Sequence, residues 1–321
     1  YREPGGKGWD EIHRQHEDSF ETFNVAGFDP EKENTLLVRA HNGRDKIALW
    51  EFDIKSKEFR ELIYSRDDVD VGNVRFHSNG WTHPDTIVGV GYSTDKAHYE
   101  YFDAVEGATY AQLQQAIPNA HNVFISSRSR ENKTLTVGNY GPHDPGSFYL
   151  IKDGALKAIG STQPLLKSED LADVRYIHWN ARDGEEIHGY ITVPKGEPPY
   201  PLVVMPHGGP FVQETVSYDE WGQMLANNGY MVLQPQYRGS RNYGLDYYMA
   251  SFKDGGQGGH MMQDDKDDGA MYLVEQGLAD KDRIAMFGWS YGGYAALVAA
   301  SRTPQIHQCV IAGAAVSDTY M

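Results

Sequence analysis

The chain is poor in cysteine and in long apolar segments. It contains one cysteine, Cys309, so neither an internal disulfide nor a zinc site built from several cysteines is available to it. No apolar run approaches the roughly 18 residues of a membrane-spanning helix. The sequence begins at Tyr1 without a charged and then apolar leader, and we expect a soluble protein of unassigned compartment with no membrane partner.

Positive charge is also scarce. The 29 lysines and arginines against 45 aspartates and glutamates give a formal net charge of -16 and an isoelectric point near 5.2. A field of this sign repels phosphate backbones, so we expect no nucleic-acid partner. Apolar residues make up 40% and charged residues 23% of the 321 positions, which is typical of a folded globular protein. At ~100 to 200 residues per domain, this length predicts two domains.

The first half of the sequence repeats a pattern of paired strands. Three strand-like runs, at 35–40, 86–92 and 134–140, are each followed by an aromatic-rich run that ends in aspartate, at Asp53, Asp103 and Asp153, 50 residues apart. The first aromatic-rich run covers residues 48–53. A period of ~40 to 50 residues in short strands is typical of β-propeller blades. Residues 104–120 do not follow this strand repeat. Because a closed propeller needs ~4 to 8 blades, we predict an incomplete propeller of about three blades over residues 1–165, with unrelated β-hairpins as the alternative.

From about Val174 the pattern changes to apolar strands that alternate with helical stretches. This alternation predicts an α/β domain over residues 166–321, with a mainly parallel sheet and helices on both faces. Strands are predicted at 174–179, 187–193, 202–205, 231–233, 284–287 and 310–312. Helices are predicted at 218–228, 263–276 and 291–301.

The strongest chemical signal lies around Ser290. An apolar strand runs into Gly-Trp-Ser-Tyr-Gly and then into a helix of small residues, which is the context of a nucleophile elbow. Gly288 and Gly292 leave room for the neighbouring backbone in this tight turn. The turn also places the N–H of Tyr291 at a helix N-terminus, beside the oxygen that becomes negative during acyl transfer. We therefore predict that Ser290 is a nucleophile and Tyr291 an oxyanion donor.

A second motif follows the strand at 202–205, where the chain reads Pro-His-Gly-Gly-Pro over residues 206–210. In the α/β-hydrolase fold this loop supplies the other oxyanion donor, and His-Gly-Gly is its form in lipases and esterases. We assign this donor to the N–H of Gly209. His207 precedes the nucleophile in the chain, and we interpret it as a structural loop histidine rather than the general base.

Together with residues 237–240 (Tyr-Arg-Gly-Ser) and 262–265 (Met-Gln-Asp-Asp), these motifs resemble the prolyl oligopeptidase family of serine peptidases. The resemblance is to its branch of acylaminoacyl peptidases and dipeptidyl peptidases. It implies a β-propeller followed by an α/β-hydrolase domain. It also implies cleavage of short peptides by Ser290, with the propeller restricting access to a cavity between the domains.

The acid and the base of a catalytic triad are not found in their expected places. In α/β-hydrolases they follow the nucleophile in the order Asp or Glu, then His, on loops after later strands. His307 and Asp318 follow Ser290 in the reverse order, and we interpret both as surface or loop groups. We therefore expect the hydrolase domain to lack its C-terminal part, with the triad Asp and His supplied beyond this chain or by a second polypeptide.

Weaker candidates remain. Arg238 and Arg241 are candidates for lining a substrate cavity and meeting a peptide carboxylate; the alternative is ion pairing at the surface. The acidic run at 264–268 nearly fits a calcium loop, but Lys266 occupies a ligand position and a helix explains the run better. The 13 histidines show no metal-ligand spacing, so we predict no metal and no cofactor.

Three functions are compatible with these observations. The leading hypothesis is a serine peptidase that acts on short peptides through an acyl-enzyme. An esterase or lipase uses the same elbow and oxyanion loop. A catalytically silent propeller protein that binds partners is the third. A homo-oligomer is compatible with the sequence, which does not fix the oligomeric state.

Overall fold

The computed structural model describes residues 1–3, 5–29, 31–256 and 259–317. The strands are β1 (Phe23–Phe28), β2 (Thr35–Ala40), β3 (Ala48–Asp53), β4 (Glu58–Tyr64), β5 (Val74–Phe76), β6 (Ile87–Ser93), β7 (Ala97–Tyr101), β8 (Asn122–Arg128), β9 (Thr134–Gly141), β10 (Asp144–Lys152), β11 (Ala155–Ser161), β12 (Asp173–Asn180), β13 (Glu186–Val193), β14 (Tyr200–Val204), β15 (Met231–Gln236), β16 (Ala279–Trp289) and β17 (Cys309–Gly313). The α-helices are α1 (Ala104–Ala116), α2 (Glu220–Asn227), α3 (Leu245–Ala250), α4 (Met261–Glu275) and α5 (Tyr291–Ser301). No helix in the described ranges has the length and apolar character needed to cross a membrane.

The first eleven strands form three antiparallel sheets, β1-β2-β3-β4, β5-β6-β7 and β8-β9-β10-β11. In each sheet, strands that are neighbours in sequence pair with one another. The first sheet is buried on both faces: Leu36 and Phe52 belong to one apolar cluster, and Leu37 and Leu49 to another. Successive side chains of a strand point to opposite faces, so this division shows a sheet packed on both sides.

The break in the repeat at residues 104–120 is caused by helix α1. Asp103 caps this helix, because its side chain accepts hydrogen bonds from the N–H groups of Val105 and Glu106, at 2.8 and 2.9 Å. The preceding strand β7 ends at Tyr101. The aspartate that the sequence pattern interprets as a strand end is therefore a helix cap, and the second sheet has three strands in the described residues.

The second half of the chain forms a six-stranded sheet in the order β12-β13-β15-β14-β16-β17. The pairs β15–β14, β14–β16 and β16–β17 are parallel, as predicted, whereas β12–β13 and β13–β15 are antiparallel. The expectation of a mainly parallel sheet thus holds only for the strands around the elbow. Residues 181–185 connect β12 to β13, and so short a connection makes a hairpin rather than a crossover.

Helices cover both faces of this sheet. On α2, the ring of Trp221 lies 5.0 Å from that of Phe287, whereas on α4 the amide of Gln263 lies 3.9 Å from the sulfur of Met286. Phe287 and Met286 are adjacent in β16 and face opposite sides, so α2 and α4 lie on opposite faces. The central strands contribute the core residues Leu202, Val204, Met231, Leu233, Ile284 and Met286.

Candidate active site

Ser290 lies at the turn between β16 and α5. Its backbone has φ 58° and ψ −119°, a strained conformation for a residue with a side chain. The turn is tight enough that a Cβ on Gly288 would collide with the carbonyl of Gly292, and one on Gly292 with the carbonyl of Pro206. The N–H of Ser290 donates to Gly313 O at 3.0 Å, which ties the turn to β17. This is the strand–turn–helix geometry expected of a nucleophile elbow.

The glycine loop after β14 lies against the elbow. A Cβ on Gly208 would lie 3.3 Å from Trp289 O and 3.4 Å from the Cβ of Ser290, so glycine allows this close approach. Gly209 has φ +108°, in the region that favours glycine. The fold therefore brings the loop that contains Gly208 and Gly209 next to Ser290, which Tyr291 follows directly in the chain.

His207 is a buried and neutral part of this loop. Its Nε2 lies 2.9 Å from Ser240 Oγ and its Nδ1 2.7 Å from Gly208 O, while the Tyr237 hydroxyl donates to His207 O at 2.8 Å. Burial lowers the pKa of His207 to about 4. These contacts agree with a structural role. Across the described residues, no histidine forms a hydrogen bond with Ser290 Oγ.

Arg238 does not line a cavity, which corrects the expectation that it contacts substrate. The residue as a whole is 1% exposed. Its guanidinium donates to Asp265 at 2.6 and 2.9 Å and to Asp183 at 2.7 and 3.0 Å. Arg238 follows β15 directly, so these ion pairs join that strand to α4 and to the β12–β13 turn. Its role in the structure is to hold these elements together.

Arg241 does line a cavity. A space of about 570 Å³ lies between the N-terminal sheets and the hydrolase half, with Arg241 in its wall. The Nε of Arg241 donates to Phe211 O at 2.9 Å, and its guanidinium lies 5.5 Å from the ring centroid of Tyr248. Arg39 and Arg75 of the N-terminal sheets also line the space. Three arginines and two carboxylates, Glu21 and Asp70, therefore line a cavity whose wall reaches Gln213 in the loop that follows Gly209.

His307 and Asp318 were interpreted as surface or loop groups. His307 is 5% exposed, and its Nε2 makes no hydrogen bond in the described structure. Burial, with a smaller effect of Arg302, lowers the pKa of His307 to about 4. His307 therefore lies in the loop between α5 and β17, as the interpretation as a loop group predicts, but it is buried rather than at the surface, and among the described residues it forms no hydrogen bond with Ser290. Asp318 lies outside the described residues.

The acidic run at 264–268 lies within α4, as the helical interpretation predicts. Asp264 and Asp268 pair with Arg182 at 3.0 and 2.6 Å, so these carboxylates bind arginine. Within the described ranges, no group of three or more ligating side chains has the arrangement of a metal site.

The sequence interpretation missed the position of Lys266. It treated this lysine as a misfit in a calcium loop, but the side chain is wholly buried beside Tyr237 and Tyr291. The signal was available, because Met262, Lys266 and Ala270 recur at helical spacing on the buried face of α4.

Comparison with known proteins gives matches in sequence and in fold. The sequence profile of the prolyl oligopeptidase family matches residues 216–321. The chain is 30% identical to dipeptidyl aminopeptidase BIII from Pseudoxanthomonas mexicana, over 86% of this chain and 40% of that protein. It is 29% identical to dipeptidyl peptidase family member 6 from Caenorhabditis elegans, over 92% of this chain and 42% of that protein. The chain thus spans less than half the length of these relatives.

Solved structures show the same fold. Prolyl oligopeptidase B from Galerina marginata aligns with a TM-score of 0.72 over 99% of this chain and 44% of its own, at 14% identity. A structure from a study of two prolyl endopeptidases aligns with a TM-score of 0.69 over 96% of this chain and 44% of its own, at 14% identity. The profile of the prolyl oligopeptidase family thus matches residues 216–321, and the chain as a whole is similar in sequence and fold to the relatives and solved structures above.

Proposed function

We propose that the protein is a serine peptidase that hydrolyses short peptides through an acyl-enzyme on Ser290. The observation that carries this proposal is the strained backbone of Ser290, with the glycine loop packed against it. A serine in this conformation at the end of a parallel strand has its hydroxyl raised above the sheet edge. The names of two relatives, a dipeptidyl aminopeptidase and a dipeptidyl peptidase family member, support short peptides as the substrate class.

In the proposed mechanism, Ser290 Oγ attacks the peptide carbonyl carbon, and the N–H groups of Gly209 and Tyr291 stabilise the resulting oxyanion. Each such donor contributes roughly 10²- to 10³-fold in kcat. Collapse of this intermediate releases the amine product and leaves an ester on Ser290, which water then hydrolyses. The serine proton requires a general base, and His207 is buried with both ring nitrogens engaged. The proposal therefore takes the triad Asp and His from outside the described residues.

The proposal assigns residues 1–165 to part of a β-propeller of about three blades and residues 166–321 to the hydrolase domain. The three antiparallel sheets and the double-sided burial of the first sheet support the propeller. The cavity beside Arg241 lies between the two parts and is large enough for a short peptide, since ligand sites typically measure about 300 to 1,000 Å³.

Peptide hydrolysis by the protein expressed from its complete gene tests the proposal. We expect release of the amine product from dipeptidyl and acylaminoacyl chromogenic amides, and a loss of at least about 10³-fold in kcat with Ser290→Ala. Ser301→Ala, at the far end of the same helix, is the matched control and should retain activity. Equal activity of Ser290→Ala and wild type would exclude Ser290 as the nucleophile.

A further inference from the structure

A buried lysine lies near both segments of the proposed oxyanion hole. These segments are the glycine loop at Gly209 and the elbow at Tyr291, and we call them its two arms. The side chain of Lys266 is fully buried. Its Nζ lies 3.7 Å from the ring centroid of Tyr237 and 5.5 Å from that of Tyr291. Among the described residues, the oxygen that accepts a hydrogen bond from Nζ is the carbonyl of Met262, at 2.6 Å. Aromatic faces therefore contribute much of the coordination of this ammonium.

Each of the two rings belongs to one arm of the oxyanion hole. The Tyr237 hydroxyl donates to His207 O at 2.8 Å, and its ring stacks on the imidazole of His207 with centroids 4.3 Å apart. His207 directly precedes the glycine pair that ends at Gly209. Tyr291 is itself the other proposed donor residue, and its ring lies 5.9 Å from that of Tyr237. The ammonium thus lies near the ring of one proposed donor residue, Tyr291, and near the ring of Tyr237, which is bonded to the residue before the glycine pair.

The charges around Lys266 do not neutralise it by direct pairing. The groups that act on it are Asp265, Asp267, Arg302 and Arg238. Asp265 is bonded to Arg238, and no carboxylate of the described residues forms an ion pair with Nζ. Burial is the largest effect and lowers the pKa of Lys266 to about 7, against the two aspartates, which raise it. The amine therefore carries its charge at mildly acidic pH and loses it as the pH rises through neutrality.

We propose that Lys266 is a positioning residue that fixes the position of one arm of the oxyanion hole relative to the other. The ammonium attracts the faces of Tyr237 and Tyr291, and this attraction is strongest when the cation is desolvated. Its charge also favours negative charge on the oxyanion beyond the rings. The neutral amine provides neither effect. This inference rests on the proposed function, because the positioned groups matter only if Ser290 is acylated.

The test compares wild type with Lys266→Met in the protein expressed from its complete gene. We expect kcat at pH 6 to fall about tenfold in Lys266→Met with little change in KM, because the geometry of the reacting groups is disturbed rather than binding. The ratio of wild-type to variant kcat cancels the titration of the general base. This ratio should approach 1 as the pH rises from 6 to 9, since Lys266 becomes neutral in wild type.

Lys281→Met is the matched control, since Lys281 is exposed and pairs with Asp282. Its kcat ratio should be 1 at every pH. A ratio for Lys266→Met that is 1 at pH 6, or that is large and independent of pH, overturns the inference. A wild-type protein that hydrolyses no peptide overturns the proposed function instead, so the two failures are distinguishable.

Tyr237→Phe provides the second variant if Lys266→Met does not fold. It keeps the aromatic face next to the ammonium but removes the hydroxyl that donates to His207 O. We expect a kcat reduced about fivefold at pH 6, because the loop is then less firmly held. A Tyr237→Phe variant with wild-type kcat at pH 6 would show that the hydroxyl bond to His207 O does not couple Lys266 to the loop, and it would overturn the inference.

Discussion

Arg238 and Asp265 form an ion pair that is buried from solvent. The Nη2 of Arg238 lies 2.6 Å from Oδ1 of Asp265, with 2% and 0% of the two side chains exposed. The backbone N–H of Arg238 also donates to Asp265, at 2.8 Å. This pair joins the end of β15 to α4, and the same helix carries Lys266. The position of α4 relative to β15, next to the candidate site, therefore depends on a buried ion pair.

Removal of Asp265 is expected to destabilise the protein strongly. Asp265→Ala leaves the buried guanidinium with Asp183 alone, and breaking a buried pair in this way costs about 3 to 5 kcal/mol. The shift in the midpoint of urea unfolding measures this loss. Asp282→Ala removes an exposed partner of Lys281 and should cost below about 1 kcal/mol. Equal midpoints for the two variants would contradict the structural role of the pair.

Gly292→Ala is expected to abolish reactivity of the elbow without preventing folding of the N-terminal sheets. The added methyl group would collide with the carbonyl of Pro206 and force the glycine loop away from Ser290. We predict at least about a hundredfold slower labelling by a fluorophosphonate probe. Gly160→Ala is the control, since nothing lies within 4 Å of the new methyl group. Unchanged labelling of Gly292→Ala would contradict the close approach of residue 292 to the carbonyl of Pro206.

The stability of the protein is expected to fall as the pH drops from about 6.5 towards 4. Burial lowers the pKa values of His188, His207 and His307 to about 4 from 6.5. Between these values each of the three histidines binds more protons in the unfolded state than in the folded state, so its contribution to stability is complete above pH 6.5 and is lost on acidification. Burial raises the pKa of Glu214 to about 7, and this carboxyl contributes in the opposite direction. His307→Gln should therefore reduce the decrease in stability seen in thermal unfolding. His178→Gln, at an exposed histidine, should leave the decrease unchanged. An equal effect of the two substitutions would refute the contribution assigned to His307.

Arg241 is expected to affect substrate binding. If the cavity receives the carboxylate end of a peptide, Arg241→Ala should raise KM about tenfold for peptides with a free C-terminus. The same peptides with an amidated C-terminus should be affected little. Exposed Arg175→Ala is the control for loss of one positive charge. A uniform rise in KM for both peptide forms would assign Arg241 to the support of the Phe211 loop instead.

The sequence predicts the parts of the site that depend on local pattern. The predicted runs Thr35–Ala40 and Ala48–Asp53 have the same bounds as β2 and β3, and the helix Tyr291–Ser301 has those of α5. The elbow is predictable because its glycines, strand and helix are contiguous in the chain. Helix α1 was missed although Asp103 followed by Glu106 is a helix-start signal, since the strand repeat gave Asp103 another meaning.

Contacts between distant segments were not predictable. Arg238 finds Asp265 and Asp183 only after β15, α4 and the β12–β13 turn have packed together, so its burial has no signal at position 238 itself. The same holds for His307. The helical spacing of Lys266 indicates its burial, but the rings that face its ammonium come from two other motifs and have no signal at position 266. Buried charged groups depend on partners from remote parts of the chain, whereas motifs record neighbours in sequence.

The most direct test of Ser290 as the nucleophile is the site of covalent labelling. The full gene product is treated with a fluorophosphonate, digested with trypsin and analysed by fragment mass. The tryptic peptide 284–302 contains both Ser290 and Ser301, so fragmentation distinguishes the candidate nucleophile from its neighbour on the same helix. We expect a stoichiometric adduct on Ser290. An adduct on another residue, or none on a protein that still hydrolyses peptides, would contradict it.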